Sequence, residues 1–259
     1  MAIKWITPDW DAPPFVKALT TCRPGGVSLP PYESLNLGNH VGDCPLAVEK
    51  NRSLVKAACR LQNDPAWIQQ VHGTNVIDAK EAVVAKTDAS TSPAPPEADA
   101  SFTQEKGIVC AVLTADCLPI LLCHPKKPWV AAIHAGWPGL SSGVVDATVK
   151  RLPKEDRAAL LAWLGPAIGP KAFQVKRDVI DQFEANGFTI DDTVFVPDKT
   201  RGHFLGNLYA LARQRLLALG LKDNQITGGN YCTVTQSADF YSYRRDKVTG
   251  RMASLIWLS

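Results

Sequence analysis

Several segments of this chain are apolar at every position, and they constrain its fold more than any other feature. The segments "GIVCAVL" (107–113), "PILLC" (119–123) and "VAAI" (130–133) contain no polar side chain. A strand with one solvated face alternates apolar and polar residues, so strands of this kind are predicted to be buried on both faces. Such a sheet needs other elements packed on it, which favours an α/β or α+β fold with mixed β-sheets covered by helices.

The remaining elements are predicted from apolar spacing and from end signals such as Pro45 and the Asn186-Gly187 pair. The predicted helices are 43–61, 138–152, 175–187 and 206–220. The predicted strands are 66–69, 107–113, 119–123, 130–133, 159–164, 193–196, 240–243 and 253–258. No long repeat interrupts this order, so we predict a single domain over residues 1–259. The stretch around 86–98, rich in Pro, Ser and Thr, is predicted to be an exposed loop.

Composition excludes several classes of protein. A net charge of +3 without a basic stripe argues against nucleic-acid binding. The longest apolar run contains Asp116 and Pro119, which argues against a membrane span. Seven irregularly spaced cysteines do not suggest a disulfide framework, and the first residues lack the apolar core of a signal peptide. We therefore expect a cytoplasmic protein, most simply a monomer.

Three metal-binding side chains stand at the ends of predicted strands. His72 precedes Gly73, Cys117 ends "CAVLTADC", and His134 ends "WVAAIH". Strand-end loops carry the ligand sites of open α/β sheets, and two imidazoles with one thiolate suit a three-ligand zinc site with an open fourth position. Asp116 would hold a ligand imidazole or act as general base. Without a metal, Cys117 and a histidine of the trio would form a nucleophile pair. Spacing alone also allows a purely structural role, with the histidines as polar groups at turns and the cysteine in the core.

A set of longer motifs carries a family resemblance. These are "GGVSLPPYESLNLGNHVGD", "WIQQVHGTNV", "TADCLPILL", "AAIHAGW", "LGPAIGP" and "SYRRDKVTGRMASLIWL". With them the chain resembles, over nearly its whole length, the YfiH family, also called the laccase-domain or peptidoglycan-editing-factor family. The resemblance implies a mixed α/β fold related to that of cysteine hydrolases. It also implies an active site of His72, Cys117 and His134 that binds zinc, with copper as the alternative metal.

Four further residues are candidates for substrate contacts. Arg23 precedes Pro-Gly-Gly, and Arg244 and Arg245 follow two tyrosines, so any of the three would suit an anion such as phosphate. The alternative for the arginine pair is a surface salt bridge. Asn36, inside the first motif, is the fourth candidate. Relatives commonly have arginine where this chain has Pro138, so an anion contact made there needs another donor.

Three functions follow from the resemblance. The first is an enzyme that uses the His/Cys/His metal site on purine nucleosides, by phosphorolysis of adenosine, inosine and methylthioadenosine and by deamination of adenosine. Its partners would be a small nucleoside and phosphate. The second is an amidase that edits a cell-wall precursor with Cys117 as nucleophile. The third is a copper-dependent polyphenol oxidase, expected only as a side activity because five histidines are too few for several copper centres.

Overall fold

The computed structural model describes residues 2–84 and 94–259, which form three sheets with helices packed on them. The strands are β1 (Trp5–Ile6), β2 (Val16–Thr21), β3 (Val76–Asp78), β4 (Ala100–Thr103), β5 (Val109–Thr114), β6 (Leu118–Cys123), β7 (Val130–Ala135), β8 (Leu161–Leu164), β9 (Gln174–Lys176), β10 (Phe195–Pro197), β11 (His203–Gly206), β12 (Ile226–Gly228) and β13 (Met252–Leu258). The α-helices are α1 (Pro45–Ala58), α2 (Ala79–Val84), α3 (Trp137–Ser142), α4 (Val144–Val149), α5 (Arg177–Ala185), α6 (Leu208–Ala218) and α7 (Tyr243–Asp246). Two short 3-10 helices cover Lys154–Ala159 and Asp223–Gln225.

The sheets are mixed and antiparallel rather than purely parallel. The largest has the strand order β12-β8-β6-β7-β4-β3, with parallel pairs at its two edges and antiparallel pairs between β8, β6, β7 and β4. A second sheet has the order β1-β2-β13-β5, and a third the order β10-β11-β9. The fold is therefore the mixed α/β domain that the sequence predicts.

The central strands β6 and β7 are buried on both faces, as their composition predicts. On one face, Ile120, Leu122 and Ile133 pack in the same core as residues of α4 and α6. On the other face, Leu121 and Ala132 pack in the same core as residues of β5 and β13. One face of the central strands is thus covered by helices and the other by a second sheet. The covering of helices that the sequence predicts is found on one face only.

Three of the four predicted helices are confirmed as α1, α5 and α6. The segment 138–152 contains two helices instead of one, because Gly143 has φ +97° and ends α3 in the left-handed conformation. The glycine tolerates this conformation and lets the chain change direction.

Two of the predicted strands are wrong, and the other six are present with slightly shifted ends. The segment 66–69 makes only single-residue bridges, from Ala66 to Cys110 and from Gln69 to Glu97. The segment 240–243 is irregular up to α7. Tyr241 is buried together with its neighbour, and its backbone N–H donates to the sulfur of Met252 instead of joining a ladder.

The predicted loop around 86–98 is described only in part. Residues 86–93 lie outside the described residues. Of the rest, Ala94 and Pro95 are exposed, whereas Ala98 is buried against the core. None of the helices within 2–84 and 94–259 combines the length and the apolar character that crossing a bilayer requires.

Candidate active site

His72, Cys117 and His134 lie together, although they come from three separate segments. His72 is on the loop before β3, Cys117 is in the tight turn between β5 and β6, and His134 is in β7. The sulfur of Cys117 is 3.7 Å from Nε2 of His72, and the two imidazole rings meet edge to face with centroids 4.8 Å apart. One ligand atom from each of the three lies within 4.8 Å of the others.

Two residues of this site have backbones in the left-handed region. His72 has φ +61° and Asp116 has φ +91°. This conformation is uncommon for residues other than glycine and costs on the order of 1–2 kcal/mol each. Surrounding hydrogen bonds must therefore hold both turns in place, and such backbone strain is typical of functional sites.

The buried carboxylate of Asp99 holds the two histidines. It accepts hydrogen bonds from the backbone N–H groups of Val71 (3.3 Å), His72 (2.9 Å) and Gly73 (2.6 Å). It also lies 2.8 Å from Nδ1 of His134. Burial alone would raise the pKa of Asp99, but the hydrogen bonds from His134 and from the backbone of the His72 loop lower it below its usual value. Asp99 thus occupies Nδ1 of His134 and leaves Nε2 for the site.

Asp99 performs the positioning role that the sequence suggested for Asp116. In the structure, Oδ1 of Asp116 accepts a hydrogen bond from the hydroxyl of Thr233 (2.5 Å), and Oδ2 accepts one from the backbone N–H of Arg244 (2.6 Å). Asp116 therefore ties the turn before β6 to the segments around Thr233 and α7. Its predicted part in catalysis stays a prediction. The sequence did not point to Asp99, which is an acid between two alanines directly before β4.

The thiol and the imidazole next to it form a charge pair in the protein without metal. Burial opposes ionisation of Cys117, but the positive charge of His134 and hydrogen bonds from both histidines outweigh it and lower the pKa of Cys117 to about 6. Burial likewise opposes the charged form of His134, but the Cys117 thiolate and Asp99 raise the pKa of His134 to about 9. A thiolate is thus present near neutral pH, and it is both a good nucleophile and a good metal ligand.

Gly136 allows the beginning of α3 to approach this pair. A Cβ atom at this position would lie 2.8 Å from Cδ2 of His72 and 3.1 Å from the sulfur of Cys117. Contacts this short displace one of the partners. Gly136, two residues after His134, is therefore required by the site.

A pocket of about 200 Å³ opens beside the trio and is lined by two of its members, His72 and Cys117. Apolar and aromatic side chains form most of its wall. The lining residues are His72, Ala115, Asp116, Cys117, Trp137, Ile168, Phe173, Leu208, Tyr243 and Arg244. Aromatic walls with a few polar groups are typical of sites that bind small planar ligands. The sequence did not point to Trp137 or Phe173, because an aromatic residue in an apolar segment is usually a core residue.

Of the four predicted substrate contacts, only Arg244 lines this pocket. The guanidinium of Arg23 donates to the backbone carbonyl and to the carboxylate of Glu33. Arg245 donates to the carbonyls of residues 233, 234 and 240 and pairs with Asp246. Both arginines therefore stabilise loops: Nε and Nη2 of Arg23 and all three side-chain nitrogens of Arg245 donate within the protein.

Asn36 is also a structural residue, contrary to the expectation of a substrate contact. It is fully buried, and its Oδ1 accepts hydrogen bonds from the backbone N–H groups of Gly38 and Arg251, both at 2.9 Å. Its Nδ2 donates to the carbonyl of Gly38 and to the carboxylate of Asp43. Both ends of the amide are satisfied within the protein, so Asn36 has no atom left for a ligand.

The donor set fits a metal ion such as zinc. Zinc–nitrogen and zinc–sulfur bonds of about 2.1 and 2.3 Å place tetrahedral N and S ligands about 3.6 Å apart. The distance of 3.7 Å between the sulfur of Cys117 and Nε2 of His72 agrees with this, and the whole set lies within 4.8 Å. The hydrogen bond that Nδ1 of His134 donates to the carboxylate of Asp99 is the usual support of a metal-bound imidazole.

Comparison with known proteins gives the same relationship from sequence and from structure. Residues 17–259 match the family described as multi-copper polyphenol oxidoreductase laccase. The chain is 47% identical over 256 residues to a purine nucleoside phosphorylase of Pseudomonas aeruginosa, covering 98% of both proteins. It is also 47% identical to the purine nucleoside phosphorylase YfiH of Escherichia coli, covering 98% of this chain and 99% of that one.

Two solved structures have the same fold. The crystal structure of protein NMB0706 of Neisseria meningitidis superposes with a TM-score of 0.85 at 44% identity, covering 98% of this chain and 99% of that one. YlmD of Geobacillus stearothermophilus superposes with a TM-score of 0.83 at 30% identity, covering 95% of this chain and 94% of that one.

Proposed function

Because the chain belongs to the multi-copper polyphenol oxidoreductase laccase family, we propose that it is the kind of enzyme its near relatives are named for, a purine nucleoside phosphorylase. Its substrates would be adenosine, inosine and methylthioadenosine, each cleaved with phosphate. The observation that carries the proposal is the pocket lined by three aromatic side chains together with His72 and Cys117 of the His/Cys/His cluster. We further propose that it acts in the cytoplasm as a monomer.

The pocket supports a specific arrangement of the substrate. The purine would lie between the aromatic side chains Trp137, Phe173 and Tyr243, where a planar ring is favoured by stacking and by exclusion of water. A phosphate oxygen then forms a bond to C1′ of the ribose while the bond from C1′ to the purine nitrogen breaks. The electron pair of that bond leaves with the purine, and the proton of hydrogen phosphate ends on it. The products are the free base and ribose 1-phosphate, or 5-methylthioribose 1-phosphate when the substrate is methylthioadenosine.

Deamination of adenosine in the same pocket is the second part of the proposal. Water replaces the amino group at C6, and ammonia leaves with inosine as the other product. His72, Cys117 and His134 would hold zinc, which when bound supplies an activated water. Asp116 lines the pocket, and we assign to it the transfer of protons between this water and the leaving amine.

One observation favours a second candidate, an amidase that edits a cell-wall precursor. The thiolate of Cys117 next to the charged His134 is the pair that a cysteine hydrolase needs. Oxidation of phenols by bound copper is at most a side activity. The described residues contain one cluster with the His/Cys ligands of a copper centre, and an oxidase with several coppers needs more.

The experiment that separates these candidates uses Cys117→Ser. Wild-type protein is incubated with adenosine and phosphate, and adenine, inosine and ribose 1-phosphate are quantified. If Cys117 is a zinc ligand, Cys117→Ser loses activity at low zinc and recovers part of it as zinc is added, by mass action. Cys59→Ser, which changes a half-buried thiol at the end of α1, serves as the control and keeps full activity.

Two results would contradict the proposal. Release of neither base nor inosine by the wild-type protein would remove the nucleoside reactions altogether. The cysteine amidase would be established instead if the wild type turns over a cell-wall precursor that contains a wrongly incorporated amino acid. Cys117→Ser would then lose this turnover at every zinc concentration.

A further inference from the structure

A second cleft, of about 290 Å³, lies beside the pocket that His72 and Cys117 line. The two share the side chains of Trp137, Phe173 and Arg244. The remaining wall of the second cleft comes from β9, the beginning of α5 and β11. A ligand in the first pocket can therefore extend into the second, or can meet a second ligand there.

The lining of this second cleft has an excess of positive charge. Lys176 and Arg244 carry two permanent positive charges, and Asp178 is the one carboxylate among the lining residues. Lys176 is exposed and pairs with no carboxylate of the described ranges. Its charge is thus not neutralised within that part of the protein.

Arg244 is held in place by the surrounding structure. Its Nη1 donates to the backbone carbonyls of Gln174 (2.9 Å) and Ala172 (3.5 Å), and these are the only hydrogen bonds of its side chain to described residues. The guanidinium carbon lies 5.9 Å from the centre of the Phe173 ring. Nε and Nη2 are consequently available to a ligand, and an arginine held in this way is well suited to bind phosphate.

The register of β9 and β11 adds a third group, the imidazole of His203. Its Nδ1 faces the backbone carbonyl of Arg201 at 3.3 Å, so the protonated ring offers its Nε2–H to an anion. His203 is the direct cross-strand partner of Lys176 in this antiparallel pair. Side chains of direct partners project from the same face of a sheet, about 5 Å apart at Cβ. The ammonium of Lys176 and the imidazole of His203 therefore line the same cleft as neighbours, with Arg244 on the third side.

We propose that Lys176, His203 and Arg244 form an anion subsite for a phosphate dianion next to the nucleoside pocket. This inference rests on the proposed function, because the reaction needs phosphate beside the ribose. Arg23 and Arg245, the other basic candidates, are engaged within the protein. The phosphate is either the free co-substrate or the 5′-phosphate of a nucleotide whose base occupies the first pocket.

Steady-state kinetics with inosine test the subsite. Lys176→Gln and His203→Gln remove one donor each, and the control Lys199→Gln removes an exposed charge from the nearby turn after β10 that does not line the cleft. The KM for inorganic phosphate rises about five- to tenfold in Lys176→Gln and in His203→Gln, the usual loss for one charge-assisted contact. The KM for inosine at saturating phosphate stays the same, and Lys199→Gln changes neither constant.

Titration calorimetry identifies the source of the phosphate without requiring turnover. Wild type and Lys176→Gln are titrated with inorganic phosphate, with adenosine and with adenosine 5′-monophosphate. Weaker binding of inorganic phosphate to the variant assigns the subsite to the co-substrate. Weaker binding of the monophosphate, with inorganic phosphate and adenosine unchanged, assigns it to a nucleotide.

The outcomes separate the two proposals. If the wild type cleaves inosine, both glutamine variants keep the wild-type KM for phosphate, and Lys176→Gln binds inorganic phosphate and the monophosphate as the wild type does, the subsite is wrong and the proposed function stands. If the wild type cleaves no nucleoside but binds phosphate, and Lys176→Gln binds it more weakly, the subsite stands and the proposed function is wrong.

Discussion

Asp99 joins the two histidines through a single buried carboxylate. Its oxygens accept three backbone N–H groups of the His72 loop and face Nδ1 of His134. A buried carboxylate with this many donors is stable only while all of them remain in place. The position of both imidazoles therefore depends on a residue that lies outside the metal-binding trio.

Asp99→Asn tests this dependence. The amide keeps the shape of the side chain but presents an N–H₂ group to donors, so at least one hydrogen bond is replaced by repulsion. We expect zinc affinity to fall about 10- to 100-fold, as for other supports of ligand histidines, measured by competition with a chelator. The free energy of unfolding in urea falls by about 2–3 kcal/mol. Glu97→Gln, an exposed carboxylate two residues away, changes stability by less than about 0.5 kcal/mol and is the control.

The pKa of Cys117 leads to a prediction for the metal-free protein. Because the pKa is lowered to about 6, the thiolate is present above that pH and is lost as the pH falls through it. The rate of alkylation by iodoacetamide in chelator-treated protein should therefore rise between about pH 5 and 7 and then level off. Buried Cys22, whose pKa burial raises to about 11, stays unreactive over this range.

Mass spectrometry of tryptic peptides assigns the alkylated cysteine. Bound zinc should protect Cys117 at every pH in this range, since the sulfur is then a ligand. A midpoint near pH 9, the value of an ordinary thiol, would show that His134 does not carry the charge that lowers the pKa of Cys117.

At the scale of elements, the approach of α3 to the His72 loop determines whether the trio can assemble. Helix α3 begins at Trp137 directly after β7, and Gly136 is the residue between them. The glycine has an ordinary negative φ of −60°, so its backbone conformation does not demand glycine. What demands it is the space taken by His72 and Cys117.

Gly136→Ala should therefore separate site assembly from folding. The added methyl group meets His72 and Cys117 at 2.8 and 3.1 Å and displaces the imidazole. We expect at least a tenfold loss of zinc affinity and of nucleoside turnover, with a change in unfolding free energy of about 1–3 kcal/mol. Gly73→Ala is the steric comparison, because its Cβ would meet Asp99 at an ordinary 3.5 Å. Equal zinc affinity in the two variants would contradict the steric argument.

The elements also show what a sequence can and cannot predict. β6 and β7 could be predicted because their burial on both faces is written in consecutive apolar residues. Other strands could not be predicted, such as β3, β9 and β12, because each has three residues, too few to show an alternation of apolar and polar side chains. They exist because strands distant in the chain pair with them. The segment 240–243 has the composition of a strand, but Phe240 and Tyr241 both point inward and satisfy their backbone elsewhere.

The same limit applies to the site. His72, Cys117 and His134 could be singled out because a polar residue at the end of an apolar run is unusual, and the family motifs contain all three. Asp99 could not, because its contact with His134 follows from the pairing of Ala100 with Ile133, which places residue 99 beside residue 134. The internal partners of Arg23 and Asn36 could not be predicted either, because burial and long-range contacts leave no mark on the local sequence.

At the scale of the whole molecule, the trio connects parts of the protein that are far apart in the chain. Cys117 lies in the turn that passes from β5 in the four-stranded sheet to β6 in the six-stranded sheet. His134 lies in the adjacent strand β7, and His72 lies on the loop that leads to β3 at the sheet edge. An ion bound by all three would therefore link both sheets and the His72 loop, and this link would exist only in the folded state.

Zinc should consequently stabilise the whole fold. A ligand that binds only the native state adds about 2.7 kcal/mol when its free concentration is 100 times its Kd. For a chain of this size, 1 kcal/mol corresponds to about 2–4 °C in Tm, so the expected shift is about 5–10 °C. Differential scanning calorimetry of chelator-treated protein, with and without added zinc, measures it.

His72→Ala removes one ligand and should lose most of the shift, whereas Cys59→Ser, outside the trio, should keep all of it. An equal shift in His72→Ala would mean that zinc binds elsewhere, and no shift in the wild type would mean that the charge pair of Cys117 and His134, without metal, is the working form of the site.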